Sequence, residues 1–182
     1  MAMPISVPSY TVDDLDRFPP DSNRYELLEG MLLVTPAPGL PHQVVTQRLA
    51  AILTGFLLPC PDVWVASPGS VVFRPKTRLE PDILVFRAPT AGTRWEAVRH
   101  RFLAVETASR STVIYDRDFK RPAYLHLGVD EVWRVDVDEK VILVSAPGAA
   151  PDRRVADRLV WSPKDLAANI TIDVAPLFRG FD

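Results

Sequence analysis

A chain of 182 residues, 47% hydrophobic and 24% charged, has the length and composition of one globular domain with a real core. A net charge of −2 gives no global attraction to polyanions, so any such contact requires a local basic surface. No apolar run reaches the ~18–20 residues of a membrane helix, MAMPISVPSYTVDD lacks the basic and apolar parts of a secretory leader, and the lone cysteine, Cys60, cannot close an intrachain disulfide, which predicts no membrane association and a cytoplasmic setting.

In chain order, residues 1–9 read as a flexible arm. Thr11 with Asp14 three positions on is a helix-start pattern and predicts a short helix over 11–17. RYELLEGMLLVTP reads as an N-terminal hairpin turning at Glu29-Gly30, where glycine supplies the turn. Val45, Leu49, Ile52 or Leu53, and Phe56 fall at helical spacing and predict an amphipathic helix over 41–58. Strands are predicted at 63–66, 70–74 and 82–86, and residues 88–100 read as a loop or irregular helix.

RFLAVETA, 101–108, is a strand apolar on both faces, which predicts a central position. Asp116 to Leu127 reads as a helix stopped by Gly128. Pro122 is tolerated only in a first turn, so regular hydrogen bonding is predicted from near Asp118. EVWRVDV and KVILVS form a second hairpin around Asp138-Glu139; ITIDV is a short strand and APLFRG a terminal turn. With no repeat and no linker, residues 1–182 read as a single α/β sandwich.

Two acids stand in awkward places. In LEPDILVF, 79–86, Asp82 follows a proline and heads an apolar strand; it is either a turn aspartate capping local backbone or a carboxylate needing a cation. Glu106 lies in RFLAVETA and by alternation shares a face with Ala104 and Ala108; it is either half of a structural ion pair or a ligand. Two acids at the ends of neighbouring buried strands repel unless they share a proton or a metal ion, and Mg²⁺ suits such a pair. Lys120 stacks with Asp116 and Tyr124 at i, i+4 and i+8 of the predicted helix. It is the candidate amine for a phosphodiester-hydrolysing centre; on the residues alone it reads as a solvated lysine paired with Asp116.

Pro81-Asp82, Glu106 followed by S-x-S-T at 109–112, D-R-x-x-K at 116–120, and YLHLGVDEVWRVD at 124–136 together resemble the Uma family of bacterial endonucleases in the PD-(D/E)xK superfamily. RYELLEG at 24–30, His42 and the closing ITIDVAPLF resemble it too, so the likeness runs from about residue 9 to 179. The resemblance implies a restriction endonuclease-like three-layer sandwich with a mixed central sheet flanked by helices. It implies Mg²⁺ (or Mn²⁺) held by Asp82 and Glu106, aided by the carbonyl of Thr107. It also implies that the lysine usually two residues past the glutamate, where Ala108 stands, has moved to Lys120. Glu26 and His42 match accessory positions, joined by Asp116 and Tyr124 beside the lysine. Arg110 in place of proline, Thr107 in place of valine, and Pro122 depart from the family pattern.

The function so implied is metal-dependent endonucleolytic hydrolysis of DNA, with Arg110, Arg117 and Arg121 as phosphate contacts. The alternative is a catalytically silent module of the same fold that binds nucleic acid or joins an assembly. The aromatic hairpin near Trp133 and the edge strands suggest a homodimer.

Overall fold

The computed structural model describes residues 8–108, 116–149 and 152–181. Most of the expected N-terminal arm, the S-x-S-T segment and Arg110 lie outside them.

A six-stranded sheet forms the centre, in the order β10-β9-β8-β7-β6-β3. Its strands are β3 (Val63–Ala66), β6 (Ile83–Arg87), β7 (Arg101–Ala108), β8 (Val129–Asp136), β9 (Val141–Ser145) and β10 (Arg153–Val155). Only β7 and β8 run parallel; the other neighbours are antiparallel, so the sheet is mixed. All eight residues of β7 are buried, as its unbroken apolar pattern predicts.

Helix α2 (Leu40–Leu57) covers one face. Its seam is Val45, Leu49, Leu53 and Leu57, a strict i+4 row, packed with Ile83, Leu103 and Val105. Phe56, expected inward, is 46% exposed, because that row carries Leu57 inward in its place. A ribbon of β11 (Arg158–Trp161) and β12 (Ile170–Asp173) completes this layer, with Trp161 edge-on to Trp133.

The opposite face carries a second, antiparallel sheet in the order β2-β1-β5-β4. It contains the expected hairpin, β1 (Arg24–Leu28) and β2 (Met31–Thr35), with β4 (Val71–Phe73) and β5 (Thr77–Leu79). Glu29 and Gly30 both adopt positive φ, 50° and 85°, the twist that a two-residue hairpin turn demands. Leu33, Val71 and Leu79 of this sheet pack on Leu84 and Ala104 of the central one. Helix α1 (Val12–Leu15) closes its outer side with Val12 and Leu15 on Leu27 and Val72, and the Asp14 carboxylate accepts the Thr11 N–H at 2.8 Å. The result is the three-layer α/β architecture expected from the sequence.

The connection from β7 to β8 differs from expectation. Asp116–Lys120 is a π-helical turn, and the α-helix, α3, spans only Arg121–His126 with Pro122 in its first turn. A proline gives no N–H, so α-helical bonding starts beside it, three residues later than predicted. Strands β5, β10 and β11 were not anticipated: three or four residues do not establish an alternation.

Candidate active site

Strand β6 follows Pro81 and begins opposite β7 at the Ile83–Val105 pair. One ladder step further on lie Asp82 and Glu106, and alternation turns both toward the face of Leu84 and Ala104. The two acids flagged in the sequence are thus cross-strand neighbours, each only 3% exposed.

Asp82 is held on every side. Its Oδ1 accepts both Nη1 and Nη2 of Arg24 at 3.0 Å; its Oδ2 lies 3.0 Å from His42 Nε2 and accepts the Thr107 N–H at 2.8 Å. The backbone group it caps therefore belongs to the next strand, not to a local turn. Burial pushes the Asp82 carboxyl upward, but the bond to His42, the charges of His42 and Arg24, and the Thr107 N–H outweigh it and hold the group below the usual carboxylate range. Burial likewise works against the charge on Arg24. The carboxylates of Asp82, Glu106 and Glu26 overcome it and raise the guanidinium further.

Glu106 meets the other two sequence candidates. Its Oε1 accepts the Tyr124 hydroxyl at 2.6 Å and lies 3.4 Å from Lys120 Nζ. Lys120 is 2% exposed, so the reading of a solvated lysine is overturned. Its amine lies 2.6 Å from Oε2 of Glu26, a fully buried residue of β1 whose Oε1 accepts the Glu80 N–H at 2.7 Å. The i+4 step from Lys120 to Tyr124 brings both onto Glu106 despite the π-helical turn between α3 and the preceding chain.

Helix α2 is tied to this corner at two points. His42 reaches Asp82 from its first turn, with its Nδ1 buried and without a hydrogen-bond partner. One turn on, Thr46 Oγ1 shares a 2.8 Å hydrogen bond with Thr107 Oγ1, a use for the threonine that replaces the more usual valine. On the neighbouring loop Ser67 donates to the Asp82 carbonyl at 2.8 Å, and Gly69 sits so close that an added Cβ would lie 2.3 Å from Leu84 Cβ.

The remaining candidates are not gathered here. Arg117 is an exposed partner of Asp118 at 2.6 Å. Arg121 turns toward β9, pairing with Asp152 at 2.8 Å and donating to Ser145 at 2.9 Å. Arg110 lies outside the described residues, and of Asp116 only the backbone is described. Arg24 and Thr46 went unflagged in the sequence. Arg24 was findable, since residues two apart on a strand share a face and Glu26 was already a candidate.

Carboxylate oxygens from two adjacent strands are the donors a hard divalent cation takes, with Glu26 and His42 close by. That donor set fits Mg²⁺ or Mn²⁺ in kind. The acids are met by Arg24, His42 and Lys120, and among the described residues no three acid, histidine or cysteine side chains are spaced to hold an ion as they stand.

A cleft of about 650 Å³ opens beside His42, lined also by Gly39, Pro41, Val137 and Phe181. No helix among the described residues is long and apolar enough to cross a membrane.

Comparison with known proteins agrees with this architecture. A crystal structure of "a putative nuclease belonging to DUF820" from Anabaena variabilis superposes with a TM-score of 0.71, at 18% identity, over 92% of this chain and 97% of that one. At that identity the likeness establishes the fold. No curated protein matches the chain. The model of the Uma2 family, described as "Putative restriction endonuclease", matches residues 12–175. That match takes in both acids, the lysine and nearly all of the fold that joins them, and the chain belongs to the Uma2 family.

Proposed function

We propose that the protein is a divalent-metal-dependent endonuclease that hydrolyses phosphodiester bonds in DNA. The observation that carries this reading is the convergence of Asp82, Glu106 and Lys120, from the entry to β6, from β7 and from the π-helical turn, at one buried corner. Asp82 and Glu106, with the main-chain carbonyl of Thr107, would hold Mg²⁺ or Mn²⁺. When bound, such an ion offsets charge on the phosphoryl oxygens and eases deprotonation of the attacking water.

The chain's own groups do the rest. Tyr124 fixes the rotamer of Glu106 through its hydroxyl, so the carboxylate is aimed before substrate arrives. Lys120 brings a positive charge to the place where negative charge develops on phosphorus, and burial magnifies its effect. Glu26 keeps that amine in position. Arg24 and His42 hold Asp82 ionised, ready to act as a ligand. The phosphate backbone would approach this corner from the cleft beside His42.

The test is cleavage of supercoiled plasmid by the purified protein in Mg²⁺, Mn²⁺ or EDTA, with Asp82→Asn and Glu106→Gln in parallel. The expected result is cleavage that needs the metal and falls at least ~100-fold in each variant, with circular dichroism unchanged. Equal nicking by wild type and both variants sinks the proposal.

A second reading has one observation in its favour. Asp82 is already matched by Arg24 and His42, and Glu26 and Glu106 by Lys120, as in a silent module whose acids serve only as structural ion pairs. Calorimetric titration with Mn²⁺ separates the two, since that module takes up no metal at millimolar concentration.

A further inference from the structure

The acids lie at one end of β6, Asp82 just before its first residue and Glu106 beside it on β7. At the other end of β6, on the same face of the central sheet, lies a cavity that the chemistry above does not use. It measures about 310 Å³, within the range of small-molecule pockets (roughly 300–1,000 Å³). Phe86 contributes its aromatic edge, standing T-shaped to Trp64 at 6.0 Å and to Trp95 at 5.5 Å. Trp64 belongs to the edge strand β3 and is 47% exposed, so a large aromatic surface is left uncovered at the cavity.

Positive charge collects beside these rings. Arg94 lines the cavity and Arg99 is the residue after its lining Val98; both are exposed, and neither has an ion-pair partner among the described residues. Glu96, in the same turn, is taken by Arg74 at 2.9 Å. Arg101, cross-strand neighbour of Phe86, is 4% exposed, gives one hydrogen bond to the Val98 carbonyl, and leaves its Nε without a partner. Its guanidinium lies over the Phe73 ring at 5.1 Å with no carboxylate bound. Cations without an ion-pair partner, beside the exposed Trp64 indole and the half-buried Trp95 indole, suit an anionic ligand that carries flat heteroaromatic groups.

The spacing fits a nucleic-acid strand. From Asp82 to Phe86 is four residues of β-strand, about 13 Å at ~3.3 Å per residue. That span equals about four steps of a stacked strand at ~3.4 Å each, and fewer where the strand is unstacked. Strand β3 runs along the same line, from Ser67 at the Asp82 carbonyl to Trp64 opposite Phe86.

We infer that this cavity is a nucleobase subsite, in which Trp64 and Trp95 contact an unstacked base of the substrate strand while Arg94 and Arg99 hold its flanking phosphates. The inference rests on the nuclease reading and gives its substrate a form. A base inside a duplex cannot enter, so the strand is single-stranded at this position or has the base extruded. A second copy of the chain is the weaker occupant: β3 is four residues long, and its tryptophan turns over the sheet face, not out along the edge.

The test uses the full chain in EDTA, so cleavage plays no part. Fluorescence anisotropy compares a labelled single-stranded oligonucleotide of about 12 nucleotides with one of equal length whose central sugars are abasic. Wild type is expected to bind the base-bearing strand about tenfold tighter. Trp64→Ala abolishes that preference without changing affinity for the abasic strand, Trp64→Phe keeps most of it, and Arg94→Gln weakens both strands alike. Equal affinity of wild type for the two probes, no binding to either, a preference that survives Trp64→Ala, or a dimer made monomeric by Trp64→Ala overturns the subsite. Failure of the nuclease reading is told apart by plasmid cleavage: base preference without cleavage leaves a binding module with this pocket, and cleavage without base preference removes the pocket alone.

Discussion

Lys120 Nζ lies 2.6 Å from Glu26 Oε2, and both residues are almost wholly buried, so the amine proposed for catalysis is also the counter-charge that allows a carboxylate into the core. Breaking a buried pair from one side leaves the other charge unmatched, which typically costs about 3–5 kcal/mol. Lys120→Met is therefore expected to lower stability by roughly 3 kcal/mol at neutral pH, in urea denaturation. Adding Glu26→Gln restores much of that loss, and cleavage stays absent. Full stability in Lys120→Met alone contradicts the pair; activity in the double variant contradicts the role of the lysine.

Ala108 occupies the usual lysine position and is 1% exposed, on the strand that carries Glu106. By alternation its side chain shares the face of Glu106. Placing the amine there in the variant that has lost it, Lys120→Ala with Ala108→Lys, is expected to recover part of the cleavage rate. The recovery is incomplete, since a misplacement of about 1 Å costs on the order of 100-fold. A double variant that folds, as judged by its thermal transition, yet cleaves no better than Lys120→Ala shows that the two positions are not interchangeable.

Glu131 gives a pH signature away from the site. Burial pushes its carboxyl up, against the opposing effects of the Trp133 indole N–H and Arg153. A raised folded pKa means that the folded chain binds the proton more tightly than the unfolded chain does. Stability from this group therefore falls as pH rises through the window from the ordinary glutamate value to the raised one, and the deficit persists above it. Glu131→Gln keeps an acceptor for Trp133 and removes the deficit. It is expected to raise Tm at pH 8 and to leave it nearly unchanged at pH 4. An equal shift at both pH values denies the burial effect.

Long patterns were legible and short ones were not. The i+4 apolar row from Val45 to Leu53 and the unbroken run of RFLAVETA located α2 and β7 to within a residue, because each buries a whole face. Thr77–Leu79 and Arg153–Val155 are strands only because a partner strand lies beside them. At the site, Asp82 and Glu106 stood out as charges in or next to apolar runs, while Lys120, in the polar stretch DRDFKRP, was singled out by the family resemblance. Arg24 did not stand out, since an arginine at the head of a hairpin has an unremarkable solvated alternative. Arg121, read in the sequence as a phosphate contact beside Lys120, is turned by one helical residue, about 100° of rotation, to Asp152.

By itself the sequence marked Asp82 and Glu106 as carboxylates at apolar strands that need a proton, a cation or a hydrogen-bond donor, because burial of an unmatched charge is too costly to persist. Only the tertiary structure decided which cation meets which acid. Two strands set antiparallel at Ile83–Val105 place Asp82 beside Glu106, a second sheet delivers Arg24 and Glu26, and a π-helical turn delivers Lys120. Such pairings depend on distances between segments remote along the chain, and those distances are fixed by how the layers pack.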